Sequence, residues 1–122
     1  MKLFIILGAI NAFLSVALGA FGAHGLEGKV EPRYLDIWKT GVHYQMFHAA
    51  GMILVGILIG QVQVSSLLNW SGWMMLVGTI IFSGSLYALT LSGVKVLGAI
   101  TPIGGVAFLA GWVLLVLAAM KL

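Results

Sequence analysis

Chemistry in this sequence must come from three histidines and a few amide and hydroxyl side chains set in an apolar frame. The imidazoles are His24, His43 and His48. An ionisable group at membrane depth is expensive and is by default a functional candidate. His48 is the strongest case: Gln45 and Tyr44 stand three and four residues before it, on the same helical face. His43 and His48 are five apart, about 140° around a helix, so they do not share one metal from a regular helix. His24 closes the first apolar run on the side where the second begins, so it is expected to approach His48 across the first hairpin. Two readings of His48 stand side by side. One is a neutral imidazole hydrogen-bonded inside a bundle; the other is a proton-handling or metal- or haem-ligating group. A zinc site needs three or four protein ligands, which would consume most of the three acids and three histidines. No metal and no cofactor is therefore expected.

Covalent catalysis is not expected either. The acids Glu27, Glu31 and Asp36 fall in one short window outside the apolar runs. No serine has a histidine and an aspartate at suggestive spacing, and such partners are defined by geometry. The glycine-rich Gly19–Gly25 segment ends an apolar run instead of linking a strand to a helix. It is thus no dinucleotide fingerprint, and its glycines suit a tight turn and close helix approach.

The elements that must hold these residues follow from composition. The chain has 122 residues, 61% hydrophobic and 7% charged, with a mean hydropathy of +1.15. A soluble domain is roughly a quarter charged. Nine charged side chains cannot cover a folded surface in water, whereas four spans of about 20 residues would use about 80 positions. The fold class expected is all-α, an integral membrane bundle of four transmembrane helices in a single domain, 1–122. A soluble enzyme and a zinc ribbon are excluded, and no nucleic-acid partner is expected. The chain has no cysteine, hence no disulfide framework or thiolate site.

The spans are expected at about 3–23, 42–60, 68–91 and 101–120. The first follows Lys2 but is longer than a signal-peptide core of about 7–15 residues, so it reads as a true span. The connection from His24 to Gly41 carries six of the nine charges. From Pro32, a residue suited to a first helical turn, Arg33, Asp36, Lys39 and His43 form one stripe opposite Leu35, Trp38 and Val42. This is an amphipathic helical connection between helices 1 and 2, either lying on the membrane or running into span two. The apolar run Met46–Gly60 covers only about 22 Å, short of the core thickness of about 30 Å. Span two must therefore begin earlier, near Gly41, or continue past Gln61. Thr101-Pro102 reads as an N-cap followed by proline at the first helical position. Lys29, Arg33, Lys39 and Lys95 share one side against Lys2 and Lys121, which favours both termini outside.

Small residues line helix interfaces in lipid. Gly8, Ala12, Ser15 and Gly19 recur on span one with Asn11 beside them, and Gly104, Gly105 and Gly111 thin span four. Thr79, Ser83, Tyr87 and Thr90 form a polar stripe on span three. Two readings are again open: packing of one compact bundle, or a polar pocket lined by Asn11, Ser83 and Tyr87. Gly56 and Gly60 form a GxxxG pair that also permits a homo-oligomer.

Four ordered motifs, GAFGAHGL (Gly19–Leu26), WKTGVHYQMFHA (Trp38–Ala49), FSGSLYAL (Phe82–Leu89) and GAITPIGG (Gly98–Gly105), give the whole chain a resemblance. It resembles the small bacterial membrane proteins of the domain-of-unknown-function 423 family, whose animal relatives are called transmembrane protein 256. The resemblance implies an integral protein of the bacterial cytoplasmic membrane and supplies no reaction. The positions it matches include His24, Tyr44, Gln45, His48, Ser83, Ser85, Tyr87, Thr101 and Pro102. These lie toward the charged connection, so a candidate polar pocket of His24, Tyr44, Gln45, His48, Ser83, Tyr87 and Thr101 is expected there. The function expected is non-enzymatic: binding membrane lipids or a membrane partner and supporting envelope integrity. The alternative is a small oligomeric transporter or channel for protons, metal ions or a small solute, using the intramembrane histidines. A haem- or quinone-linked redox role would rest on His24 and His48 alone.

Overall fold

With no water in the hydrocarbon core, each backbone N–H and C=O must find a partner inside the chain, and an apolar sequence meets this by coiling into helices. The computed structural model describes residues 2–62 and 65–121, and among them there is no strand. Helix α1, Lys2–Phe21, closes in a π-helical turn, Gly22–Leu26. Helix α2 spans Pro32–Ile59, α3 Ser65–Gly78 and α4 Gly84–Ser92, with a π-helical turn, Thr79–Ser83, joining the last two. A 3-10 turn, Lys95–Ala99, leads into α5, Thr101–Ala119. Among the described residues, four helical segments are long and apolar enough to cross a membrane: Lys2–Leu26, Pro32–Ile59, Ser66–Ser92 and Lys95–Ala119.

One open alternative is resolved, since the connection runs straight into span two, and one expectation, the Thr101 cap, is corrected. Residues 32–41 are neither a separate surface helix nor a loop. Glu31 is extended, Pro32 opens the first turn, and α2 then runs unbroken for 28 residues, about 42 Å. The length missing from the Met46–Gly60 run is thus supplied at the front, by the turns that carry Arg33, Asp36 and Lys39. Thr101 does not cap α5 with its side chain. The 3-10 turn feeds the helix directly, and the Ile103 N–H reaches the Ile100 carbonyl at 3.0 Å, so that N–H needs no side-chain cap.

α2 is the central element, packed against α1, α3 and α4, while α5 lies along α3. Phe4, Met52, Val55, Leu68, Met75 and Ala118 form one core cluster, and Leu26, Trp38 and Val42 form another. The backbones approach closely where the sequence is thin. A Cβ on Gly8 would stand 2.7 Å from the Ala49 carbonyl oxygen, and one on Gly104 would press into the backbone of Phe82. Gly56 is buried within the bundle, and Gly60 ends α2. α4 stops at Gly93, whose φ of 72° lets its N–H return to the Leu89 carbonyl at 2.8 Å, a left-handed C-terminal stop that glycine adopts without strain.

Candidate functional site

His48 lies buried on α2, facing α5. Its Nδ1 is 2.8 Å from the Tyr44 carbonyl oxygen, and the indole N–H of Trp112 donates to its Nε2 at 2.9 Å. A carbonyl only accepts and an indole only donates. These partners therefore fix the tautomer: the proton sits on Nδ1 and the lone pair on Nε2 is engaged. The ring stacks on Phe108 at 3.5 Å and 9°. Tyr44 packs on Phe82 with centroids 4.4 Å apart, and Phe47 packs on Trp112 at 5.3 Å. Between α2 and α5 these rings line an open groove of about 460 Å³, closed at its sides by Pro102, Gly105, Val106 and Leu109.

Gln45 belongs to a second cluster. The Tyr87 hydroxyl donates to Gln45 Oε1 at 2.8 Å, Gln45 Nε2 donates to Asn11 Oδ1 at 3.0 Å, and Asn11 Nδ2 donates to the Leu7 carbonyl at 2.9 Å. The chain crosses α4, α2 and α1 in order and ends on backbone. Amides and a phenol in an apolar medium are costly unless paired. Here every link is made, and among the described residues no buried side-chain nitrogen or oxygen is left without a partner.

The remaining hydroxyls clasp neighbouring backbones. Ser83 donates to the Gly41 carbonyl at 2.7 Å, Ser71 to that of Gly111 at 2.7 Å, and Thr90 to those of Tyr34 and Leu86 at 3.1 and 3.0 Å. The Ser85 and Thr101 hydroxyls share a hydrogen bond at 2.5 Å, and each also faces a carbonyl of its own helical segment, Phe82 at 2.9 Å and Leu97 at 3.4 Å. The π-helical turn sets up part of this pattern: Gly84 N–H bonds to the Thr79 carbonyl five residues back. That extra residue aims Phe82 at Gly104 and the groove while Ser83 points at α2.

The structure therefore distributes the sequence-predicted residues over three places. Tyr44 and His48 meet at the groove. Gln45 and Tyr87 join Asn11, and Ser83 and Thr101 make separate clasps. His24 joins none of them: it is exposed on the π-helical turn. Gly22 lies against Trp38 and Gly8 against Ala49, which sets the antiparallel register of α1 on α2. His24 then stands roughly 18 Å along the axis from His48. The expected approach of the two histidines fails because the hairpin pairs His24 with the start of α2. His43 is also exposed, and among the described residues no group of three or more His, Asp or Glu is placed to hold a metal ion. Sequence reasoning missed Trp112 and Phe108. A tryptophan within an apolar span is the available signal, because a buried indole N–H seeks an acceptor.

Fold and site together define a small polytopic membrane protein, a four-helix bundle with internally satisfied polar clusters. The chain matches the family model described as protein of unknown function (DUF423) over residues 18–105. It is 54% identical to the UPF0382 membrane protein YwdK of Bacillus subtilis (strain 168) over 121 residues, 99% of this chain and 98% of that protein. It is 50% identical to the UPF0382 membrane protein SH2409 of Staphylococcus haemolyticus (strain JCSC1435), with the same coverage. It is 49% identical to the UPF0382 membrane protein SSP2132 of Staphylococcus saprophyticus over the whole of both chains. No solved structure matches the chain. The chain belongs to the DUF423 family of membrane proteins of unknown function.

Proposed function

We propose that the protein is a non-enzymatic component of the bacterial cytoplasmic membrane that holds a lipid acyl chain in the α2–α5 groove and supports envelope integrity. The observation that carries this reading is the groove itself. It is lined almost entirely by aromatic and aliphatic side chains, and both nitrogens of its imidazole are engaged. What it offers a ligand is shape, dispersion and apolar surface, the properties that select a hydrocarbon chain. Both termini lie outside and the charged ends of α1 and α2 face the cytoplasm, as the excess of Lys and Arg there favours.

Transport through histidines draws less support from the geometry. His48 cannot take a second proton on Nε2, or ligate a metal through it, without losing the Trp112 bond. The Gln45 chain ends on a backbone carbonyl.

Native mass spectrometry of gently extracted protein tests the reading. A Cβ on Gly105 would meet nothing nearer than Phe82 Cδ2 at 4.0 Å, so the side chain of Gly105→Leu starts in open space at the groove wall and takes up groove volume. The wild type is expected to retain phospholipid and Gly105→Leu to lose it. A wild-type protein that carries no lipid, or carries a metal or haem, overturns the proposal.

A further inference from the structure

We infer that Arg33, Tyr34 and Lys95 form a headgroup site for an anionic phospholipid whose chain runs down α2 into the aromatic groove. The inference rests on the acyl-chain reading above and adds the chemical class of the lipid.

Above the groove, at the charged end of the bundle, a cavity of about 200 Å³ is lined by Arg33, Tyr34, Ile37, Leu89 and Lys95. Two cations far apart in sequence line it, one from the first turn of α2 and one from the start of the 3-10 turn. None of the three carboxylates, Glu27, Glu31 or Asp36, lines it. Arg33 is oriented: its guanidinium lies 5.0 Å over the Tyr34 ring, and one NH2 group donates to the Tyr34 hydroxyl at 3.3 Å. Tyr34 is itself anchored, since its carbonyl accepts from Thr90 on α4. Charge-assisted bonds from such a pair suit a phosphate oxygen, and basic pockets between membrane helices on the cytoplasmic side take anionic headgroups.

The apolar floor distinguishes a lipid from a free anion. Ile37 and Leu89 line the same cavity as the cations. From there Arg33, Ile37, Tyr44 and Phe47 follow one another at spacings of four, seven and three, a single stripe of α2. Ile37 to Phe47 is ten residues, about 15 Å, which is half of a hydrocarbon core of about 30 Å. A chain attached to a phosphate at Arg33 and Lys95 therefore reaches the rings around His48 within its own leaflet.

Binding is read by native mass spectrometry of the full-length protein titrated with dioleoyl phosphatidylglycerol, dioleoyl phosphatidylcholine or inorganic phosphate. With each cation contributing about fivefold, the wild type is expected to prefer phosphatidylglycerol by about 25-fold. Arg33→Gln and Lys95→Gln each lower the preference about fivefold, the double variant abolishes it, and Arg33→Lys retains part of it. Phosphatidylcholine, whose phosphate is offset by its own quaternary ammonium, loses less affinity than phosphatidylglycerol in these variants, and the exposed position of both cations leaves the fold intact. Gly105→Leu loses both lipids. Equal binding of the two lipids by the wild type, or an undiminished preference in the double variant, overturns the headgroup site and leaves the groove standing. Displacement of phosphatidylglycerol by inorganic phosphate assigns the cations to a free anion and also overturns it. Failure of both lipids to bind removes the groove reading as well.

Discussion

Trp112 and His48 face each other across the α2–α5 contact, the indole N–H donating to Nε2 over 2.9 Å while Phe108 lies flat on the imidazole at 3.5 Å. One hydrogen bond and one stack thus tie the last helix to the central one at the depth where the groove opens.

Replacing Trp112 by phenylalanine keeps an aromatic ring but removes the donor and part of the indole's packed volume. The imidazole lone pair is left without its partner, and the bundle is expected to lose about 0.6 kcal/mol, the average for an interhelical hydrogen bond in membranes, or up to about 1.7 kcal/mol, with the lost packing in addition. Unfolding in mixed micelles measures this. A loss near zero would mean that the indole N–H bond contributes no net stability.

The same contact fixes the histidine tautomer. Nitrogen-15 NMR of histidine-labelled protein should show His48 protonated at Nδ1, with Nε2 a hydrogen-bonded acceptor. In Trp112→Phe the Nε2 resonance should shift, as it loses its donor.

The Tyr87–Gln45–Asn11 chain predicts a ranking. Gln45→Leu strands both a phenol and an amide, so it should destabilise more than Tyr87→Phe, which strands one acceptor. Removing all three polar groups together, as Asn11→Leu, Gln45→Leu and Tyr87→Phe, should be less harmful than the sum of the single changes, since unpaired buried groups are what cost most. Equal effects of Gln45→Leu and Tyr87→Phe would argue that the chain is not formed.

Two glycines should part company. In Gly104→Ala the new methyl meets the backbone of Phe82, which cannot give way, and a loss of about 1–3 kcal/mol is expected for such overpacking. Gly84→Ala enters open space on helical backbone and should be neutral or stabilising by up to about 1 kcal/mol. Thermal unfolding of the two variants in detergent provides the comparison.

Much of the architecture could be read from the chain because length and hydropathy dominate in lipid. Few charges and four long apolar runs leave little but a helical bundle, and the short Met46–Gly60 run required α2 to extend beyond it. What stayed hidden depended on phase and partners. Nothing in TIIFS (Thr79–Ser83) announces a π-helical turn, since its residues suit an ordinary helix equally well. Tyr44, Gln45 and His48 were recognisable as special because polar groups in an apolar run need partners. Which partners they take depends on helix order and register: Gln45 turns to Asn11 and Tyr87, and His48 to Trp112, far along the sequence. His24 misled for the same reason, since adjacency across a hairpin says nothing of depth.

Because Thr79–Ser83 winds with one residue more per turn, everything after it is rotated by about 100° relative to a straight continuation of α3. Ser85, Tyr87 and Thr90 reach Thr101, Gln45 and Tyr34 only in that rotated frame. Deleting one residue from the turn would leave composition, hydropathy and span length almost untouched, yet swing all three side chains off their partners. At this point of the chain the bundle is therefore more sensitive to spacing than to residue identity, and a frame error of one residue would undo α4 without altering any group that bonds.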